Sequence, residues 1–355
     1  MRGHIGCISR LFTKFQKCAY SIDIYAKRCI IIAYLFISIF IQGEPDMTKV
    51  FIDGSAGTTG LRIWERLAER KDLELLSIPE RLRKDDAARR EFLNRADVAF
   101  LCLPDGAAIE AAEMVENPDT VVIDTSTAHR TDDGWVYGFP ELSGMRKKIQ
   151  SSKRIANPGC HASGFIALAA PLVEQGLLSK SAGLSCFSLT GYSGGGKKMI
   201  ADYGSRPDAL AAPRMYGLGQ SHKHLPEMKK RCGLEREPIF CPIVSSYYSG
   251  MQVVIPLFAS DITGTIEDIR ALYRSYYTGN LVRFVDGGDE NGFLSASGRT
   301  GFDDMEISVF GNGERITLVS RFDNLGKGAS GTAIQNMNLV LGLPEDTGLT
   351  LEEFL

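Results

Sequence analysis

Between Lys49 and Ala156, short apolar runs alternate with stretches whose apolar positions recur every three or four residues. The runs at 50–53, 74–78, 98–103, 121–124 and 154–156 predict strands. The intervening stretches 61–70, 85–94, 106–116 and 141–152 predict helices. Strands separated by helices of this length need right-handed crossovers, so the pattern predicts a parallel, doubly wound α/β sheet of Rossmann type. After Cys160 the pattern changes. One helix over 160–175 precedes strand-like segments at 185–190, 252–257, 281–285, 305–310 and 315–322, and Asn312-Gly313 marks a hairpin between the last two. This predicts a second, α+β domain built on an antiparallel sheet. A final helix over 330–341, with Ala333, Met337 and Val340 on one stripe, is expected to return to the first domain. The expected division is therefore 47–159, completed by 329–355, and 160–328.

Residues 1–46 differ in character. Arg2, Arg10, Lys14, Lys17, Lys27 and Arg28 precede an apolar run, Cys29 to Ile41, of 13 residues. A bilayer span needs about 20. Three readings stand: a gene start placed too early, with Met47 opening directly on the first strand; a targeting or anchoring segment; or an ordered extension. All three leave this stretch outside the two predicted domains.

Composition adds limits. An apolar content of 44%, a charged content of 23% and a net charge of -3 fit a soluble globular protein and give no support to a nucleic-acid partner. Eight cysteines without a CxxC argue against a zinc knuckle or a disulfide framework, and fit free thiols in a reducing, cytoplasmic compartment. No metal site is expected.

Candidate chemistry gathers at a few loops. Gly54-Ser-Ala56-Gly57-Thr58-Thr59-Gly60 follows the first strand and opens the first helix. Glycines there let the backbone approach a pyrophosphate at the helix N-terminus, and the threonines add hydroxyls. After the second strand, Arg81, Arg83 and Lys84 could receive the 2'-phosphate of NADP, with Glu80 beside them. Asn157-Pro158-Gly159-Cys160 puts a thiol at a helix N-terminus at the domain junction, where the macrodipole is expected to lower its pKa from about 8.5. His222 and His224, with the Glu227 carboxylate three residues beyond the second expected to orient a histidine, are the candidate acid/base pair. His161, beside the cysteine, is either structural or tunes the thiol. Gly191 to Lys198 offers backbone amides, Ser193 and Lys197 as an anion site, and Arg130 is expected to face the same cleft. Ser126, in the stretch leading to Arg130, is placed on the cofactor side.

At these residues the chain resembles the N-acetyl-gamma-glutamyl-phosphate reductases in their shorter form. The matching segments are FIDGSAGTTGLRIWERL, DTSTAHR, ANPGCHASGFIALAAPLV, GYSGGGKKMIADY, GQSHKHLPEM and KGASGTAIQNMNLVLGL. The family usually has an aromatic residue and then a threonine after the cysteine, where this chain has His161 and Ser163. The resemblance implies NADPH-dependent reduction of a small-molecule acyl phosphate, N-acetyl-glutamyl 5-phosphate, to the semialdehyde and phosphate, the third step of arginine biosynthesis. It further implies a thioester on Cys160, a proton delivered to the oxygen of the ensuing thiohemiacetal by His222 with His224 assisting, and a nicotinamide contact from Asn336. Aspartate-semialdehyde dehydrogenase is the alternative within the same chemistry, and a homo-oligomer is the expected assembly.

Overall fold

The computed structural model describes residues 47–352. The readings of residues 1–46 therefore lie outside it.

The first sheet has six parallel strands: β1 (Thr48–Asp53), β2 (Leu73–Leu76), β3 (Val98–Leu101), β4 (Val121–Asp124), β5 (Val136–Tyr137) and β6 (Arg154–Ala156). Their spatial order is β2-β1-β3-β4-β6-β5. Strands β3 and β4 are buried at every position, as a sheet covered on both faces requires. Helix α1 (Thr58–Leu67) crosses from β1 to β2, α2 (Asp86–Arg95) from β2 to β3 and α3 (Asp105–Glu113) from β3 to β4. The Asp85 carboxylate caps α2 by accepting from the Ala88 amide at 2.8 Å. Leu93, Ala96, Ala111 and Met114 pack on one face of the sheet. The other face is closed by Ile63 and Leu67 of α1, by Ile149 of α4 (Met145–Gln150) and by Ala333, Ile334 and Met337 of the last helix.

Immediately after β6 comes α5 (Cys160–Glu174), whose residues 161–173 are all buried. A helix that is apolar all round needs cover on every side. It receives that cover from the second sheet, from α7 (Leu225–Cys232) and from α8 (Ile266–Tyr276). The strands of that sheet are β7 (Ser185–Gly191), β8 (Arg214–Met215), β9 (Ile239–Ser245), β10 (Met251–Phe258), β11 (Val282–Phe284), β12 (Met305–Gly311) and β13 (Arg315–Phe322). They lie in the order β11-β12-β13-β10-β7-β9-β8. The expected hairpin joins β12 to β13 antiparallel. The sheet is nevertheless mixed, because β7 runs parallel to β9 and β11 parallel to β12. The remaining helices are α6 (Gly196–Ser205) and α9 (Gly331–Val340). Among the described residues, no helix is long and apolar enough to cross a membrane.

Candidate active site

The turn from β1 into α1 is shaped for close backbone approach. Gly54 has a φ of +86°, and a Cβ there would fall 2.3 Å from the Cys102 carbonyl oxygen. A Cβ on Gly60 would fall 2.5 Å from the Gly54 oxygen. Gly57 caps α1 with no side chain bonded to the first-turn amides, and that turn carries no acidic residue. Unsatisfied amides at the positive end of a helix dipole suit an anionic pyrophosphate. Gly57, Thr58 and Thr59 stand on the wall of a cleft of about 630 Å³, with Ala56 exposed beside them. Gly54→Ala is expected to destabilise the fold by about 2 kcal/mol or more, through both the left-handed φ and the overlap. It should also abolish nucleotide binding, as read by thermal unfolding and a cofactor titration; an unchanged titration would show that the loop holds no nucleotide.

Cys160 lies on the same cleft, half-buried at the first residue of α5. Side chains from the loop after β4, from β5 and from α7 build the turn that presents it. The Arg130 Nε donates to the Asn157 carbonyl at 2.9 Å and its Nη2 to the Thr125 carbonyl at 2.9 Å. Its Nη1 reaches Glu227 Oε2 at 3.3 Å. Glu227, 1% exposed, also accepts from the Tyr137 hydroxyl at 2.7 Å and from the Gly159 amide at 2.9 Å. A Cβ on Gly159 would meet Arg130 Nη1 at 2.3 Å and His224 Nε2 at 2.4 Å, so a larger residue beneath the nucleophile would displace both of those side chains. The expected lowering of the thiol pKa is not what this environment produces. Burial pushes Cys160 above its ordinary value, while the Arg130 charge and the His161 amide pull it down.

Both candidate histidines line the cleft. His222 Nδ1 accepts from the His224 amide at 3.2 Å, which leaves its proton on Nε2. Burial is the main cause holding both below the ordinary histidine value, His224 well below it, so both stand neutral near pH 7. His224 Nδ1 is buried without a hydrogen-bond partner among the described residues. The sequence expectation that Glu227 orients a histidine is corrected, since its carboxylate holds Arg130, Tyr137 and Gly159 instead.

The remaining candidates divide. Ser126 and Ser193 are on the cleft wall. The Ser126 hydroxyl donates to Asp124 Oδ2 at 2.7 Å, and the Ser193 oxygen accepts from Asn324 Nδ2 at 3.0 Å. Gly194, Gly195 and Gly196 also face the cleft, but Lys197 is exposed and lies off its wall. The lysine on the wall is Lys223. Opposite it, Asp105 is held below its ordinary pKa against burial by hydrogen bonds from Thr127 and by the charges of Lys223 and Arg130. Asn336 is fully buried behind the wall, where its Nδ2 donates to the Gly138 carbonyl at 2.9 Å and to Asn157 Oδ1 at 3.2 Å. Arg81 is exposed on the turn after β2, and Arg83 there pairs with Glu80 at 2.8 Å. Asn324, Lys223 and Tyr216 were not singled out as site residues in the sequence. The only signal among them was that Lys223 stands between the two histidines.

Comparison with known proteins places this geometry. Residues 40–152 match the family described as semialdehyde dehydrogenase, NAD binding domain, and residues 160–324 match semialdehyde dehydrogenase, dimerisation domain. Among solved structures, aspartate semialdehyde dehydrogenase II from Vibrio cholerae aligns with a TM-score of 0.65 at 16% identity, covering 84% of this chain and 99% of that one. Aspartate semialdehyde dehydrogenase with NADP from Candida albicans aligns with a TM-score of 0.61 at 16% identity, covering 83% and 99%. At those identities the likeness is one of fold. Sequence relatives lie nearer. The N-acetyl-gamma-glutamyl-phosphate reductase 2 of a Nostoc species is 44% identical over 85% of this chain and 99% of its own length. The N-acetyl-gamma-glutamyl-phosphate reductase of Brucella ovis is 46% identical over 83% of this chain and 99% of its own. With both domains matched in order and such relatives covered almost end to end, the chain belongs to the N-acetyl-gamma-glutamyl-phosphate reductase family.

Proposed function

We propose that this chain reduces N-acetyl-glutamyl 5-phosphate with NADPH to N-acetyl-glutamate 5-semialdehyde and phosphate, in arginine biosynthesis, through a thioester on Cys160. The observation that carries the reading is one cleft containing the glycine loop of α1, a cysteine at the start of α5 and two neutral histidines. Relatives named for this reaction support the substrate.

The cradle fits a dinucleotide, because Gly54 and Gly60, where added Cβ atoms would strike the Cys102 and Gly54 carbonyls, let the turn close tightly, and the first turn of α1 has no side-chain cap on its amides. Gly57, Thr58 and Thr59 would hold the pyrophosphate. The exposed cations Arg81, Arg83 and Lys84 after β2, with Glu80 already paired to Arg83, favour the 2'-phosphate of NADP. When bound, that cofactor supplies the hydride that reduces the thioester.

Cys160 gives its proton to a neutral histidine of the 222/224 pair. The sulfur then attacks the acyl carbon and the carbon–oxygen bond to phosphate breaks. After reduction the protonated histidine hydrogen-bonds the tetrahedral oxygen; as the carbonyl re-forms, the carbon–sulfur bond breaks, the aldehyde departs and the histidine's proton returns to the sulfur. Lys223 and the Ser193 hydroxyl, on the cleft wall, offer donors for developing negative charge. Asn336 acts at one remove, by holding Asn157 in the turn that presents the thiol.

The five described cysteines are all free thiols, which suits a reducing, cytoplasmic setting. We place a second copy of the chain on the outer face of the second sheet. Phe187, Ile239 and Phe258 project from neighbouring strands there, 41%, 62% and 62% exposed, and the matched family is described as a dimerisation domain.

The deciding assay follows NADP reduction in the reverse direction with N-acetyl-glutamate semialdehyde and phosphate. Activity that needs phosphate and is lost on alkylation with iodoacetamide is expected. Activity with aspartate semialdehyde alone would keep the chemistry and overturn the substrate.

A further inference from the structure

His161 occupies the position after the nucleophile, is 3% exposed, and is bonded at both ring nitrogens. Its Nδ1 lies 2.6 Å from the Ser188 hydroxyl of β7, and its Nε2 lies 2.7 Å from the Tyr216 hydroxyl, just beyond β8. Tyr216 stands on the wall of the cleft that holds Cys160, close enough for the charge of that sulfur to act on the phenol. Burial drives His161 down to about 3, so the ring is neutral and carries one proton.

Which nitrogen carries it follows from the partners. Ser188 is fully buried, and among the described residues its hydroxyl has no hydrogen-bond partner other than His161. If Nδ1 held the proton, the serine hydrogen would be buried without an acceptor, an arrangement that costs about 1–3 kcal/mol. Ser188 therefore donates to Nδ1. The ring proton then sits on Nε2 and is given to the Tyr216 oxygen, which leaves the tyrosine hydrogen with no internal acceptor, on the wall of the cleft.

We propose that Ser188, His161 and Tyr216 form a neutral hydrogen-bond relay that fixes the Tyr216 hydroxyl as a donor to an oxygen of the bound acyl substrate. In this arrangement Tyr216 touches substrate and His161 is a positioning residue that sets the polarity of the phenol. The inference rests on the reaction proposed above only for the identity of that substrate. A donor that is neutral at every working pH adds hydrogen bonding without adding charge beside the thiol. That suits a site where Arg130 and Lys223 already supply the cations.

The test has an arm that needs no turnover. In protein carrying 15N-labelled histidine, the His161 resonances, assigned by their loss in His161→Phe, should show a neutral ring protonated at Nε2. A ring protonated at Nδ1 would overturn the relay. In the second arm, Tyr216→Phe and His161→Phe should each lower kcat/KM for the semialdehyde by roughly tenfold or more, with cofactor titration unchanged. The double variant should be no worse than the poorer single variant. Multiplicative losses, or an unaltered Tyr216→Phe enzyme, would show that the two residues do not act as one unit on substrate. If the wild-type protein turns over no N-acetyl-glutamate semialdehyde at all, the proposed substrate fails, and the tautomer still decides the relay.

Discussion

Cys160→Ala is expected to lower phosphate-dependent turnover by about 10⁴-fold or more while leaving cofactor titration nearly unchanged. The selectivity follows from position. Cys160 begins α5, whereas the glycine loop belongs to the turn between β1 and α1, and the two share only the cleft between them. A small side chain at 160 leaves the Arg130, Glu227 and Gly159 contacts in place, because none of them uses the sulfur. The wild-type thiol carries a second expectation. Burial holds it above its ordinary value, so the rate of alkylation by iodoacetamide should still be climbing with pH beyond about 8.5, the ordinary thiol value. A plateau at lower pH would mean that Arg130 and the helix N-terminus outweigh burial. Retained turnover in the alanine variant would remove the thioester from the mechanism.

The parts of this site that were legible in the sequence are those whose chemistry is local. Gly54 and Gly60 could be read because a tight strand-to-helix turn demands residues without Cβ within a few positions. Cys160 could be read because its place at a helix start is set by its neighbours. The parallel sheet followed from the alternation of runs, and the last helix showed its stripe. Less legible were elements without a clean period. Strand β5 has two residues. Strand β9 carries Pro242, a residue that ordinarily argues against a strand with a neighbour on each side. Helix α8 does open with a capping box, Thr265 and Asp268, which was a readable signal. The parallel pairings of β7 with β9 and β11 with β12 could not be read from alternation, which marks faces and not neighbours. The supports of the nucleophile were the least visible. Glu227 reaches Gly159 across 68 positions and Arg130 across 97, and Asn324 reaches Ser193 across 131. Only the fold brings those pairs together, so sequence proximity assigned Glu227 to the histidines and Lys197 to the anion site, and the folded chain puts other groups there.

Glu227→Ala is expected to be the most damaging single change outside the nucleophile and the cofactor loop. The carboxylate is buried beneath the turn, accepts three hydrogen bonds and is the only carboxylate hydrogen-bonded to Arg130 among the described residues. Truncation leaves a buried guanidinium, a tyrosine hydroxyl and a backbone amide without that acceptor. Breaking a buried ion pair from one side costs about 3–5 kcal/mol, so the melting temperature should fall by several degrees and turnover should fall with it. Glu227→Gln keeps the shape and one acceptor oxygen, so its loss of stability should be smaller. A purely structural role would predict that alkylation of Cys160 changes only as far as the fold loosens. The geometry predicts more. The Glu227 charge is one of the influences raising the thiol pKa, while Arg130 lowers it. Removing the anion and freeing the cation should shift the thiol toward thiolate, so folded Glu227→Gln should react faster with iodoacetamide near pH 7 than wild type, even as its kcat falls. Slower alkylation in the folded glutamine variant would mean that Glu227 supports the turn without setting the charge balance at Cys160.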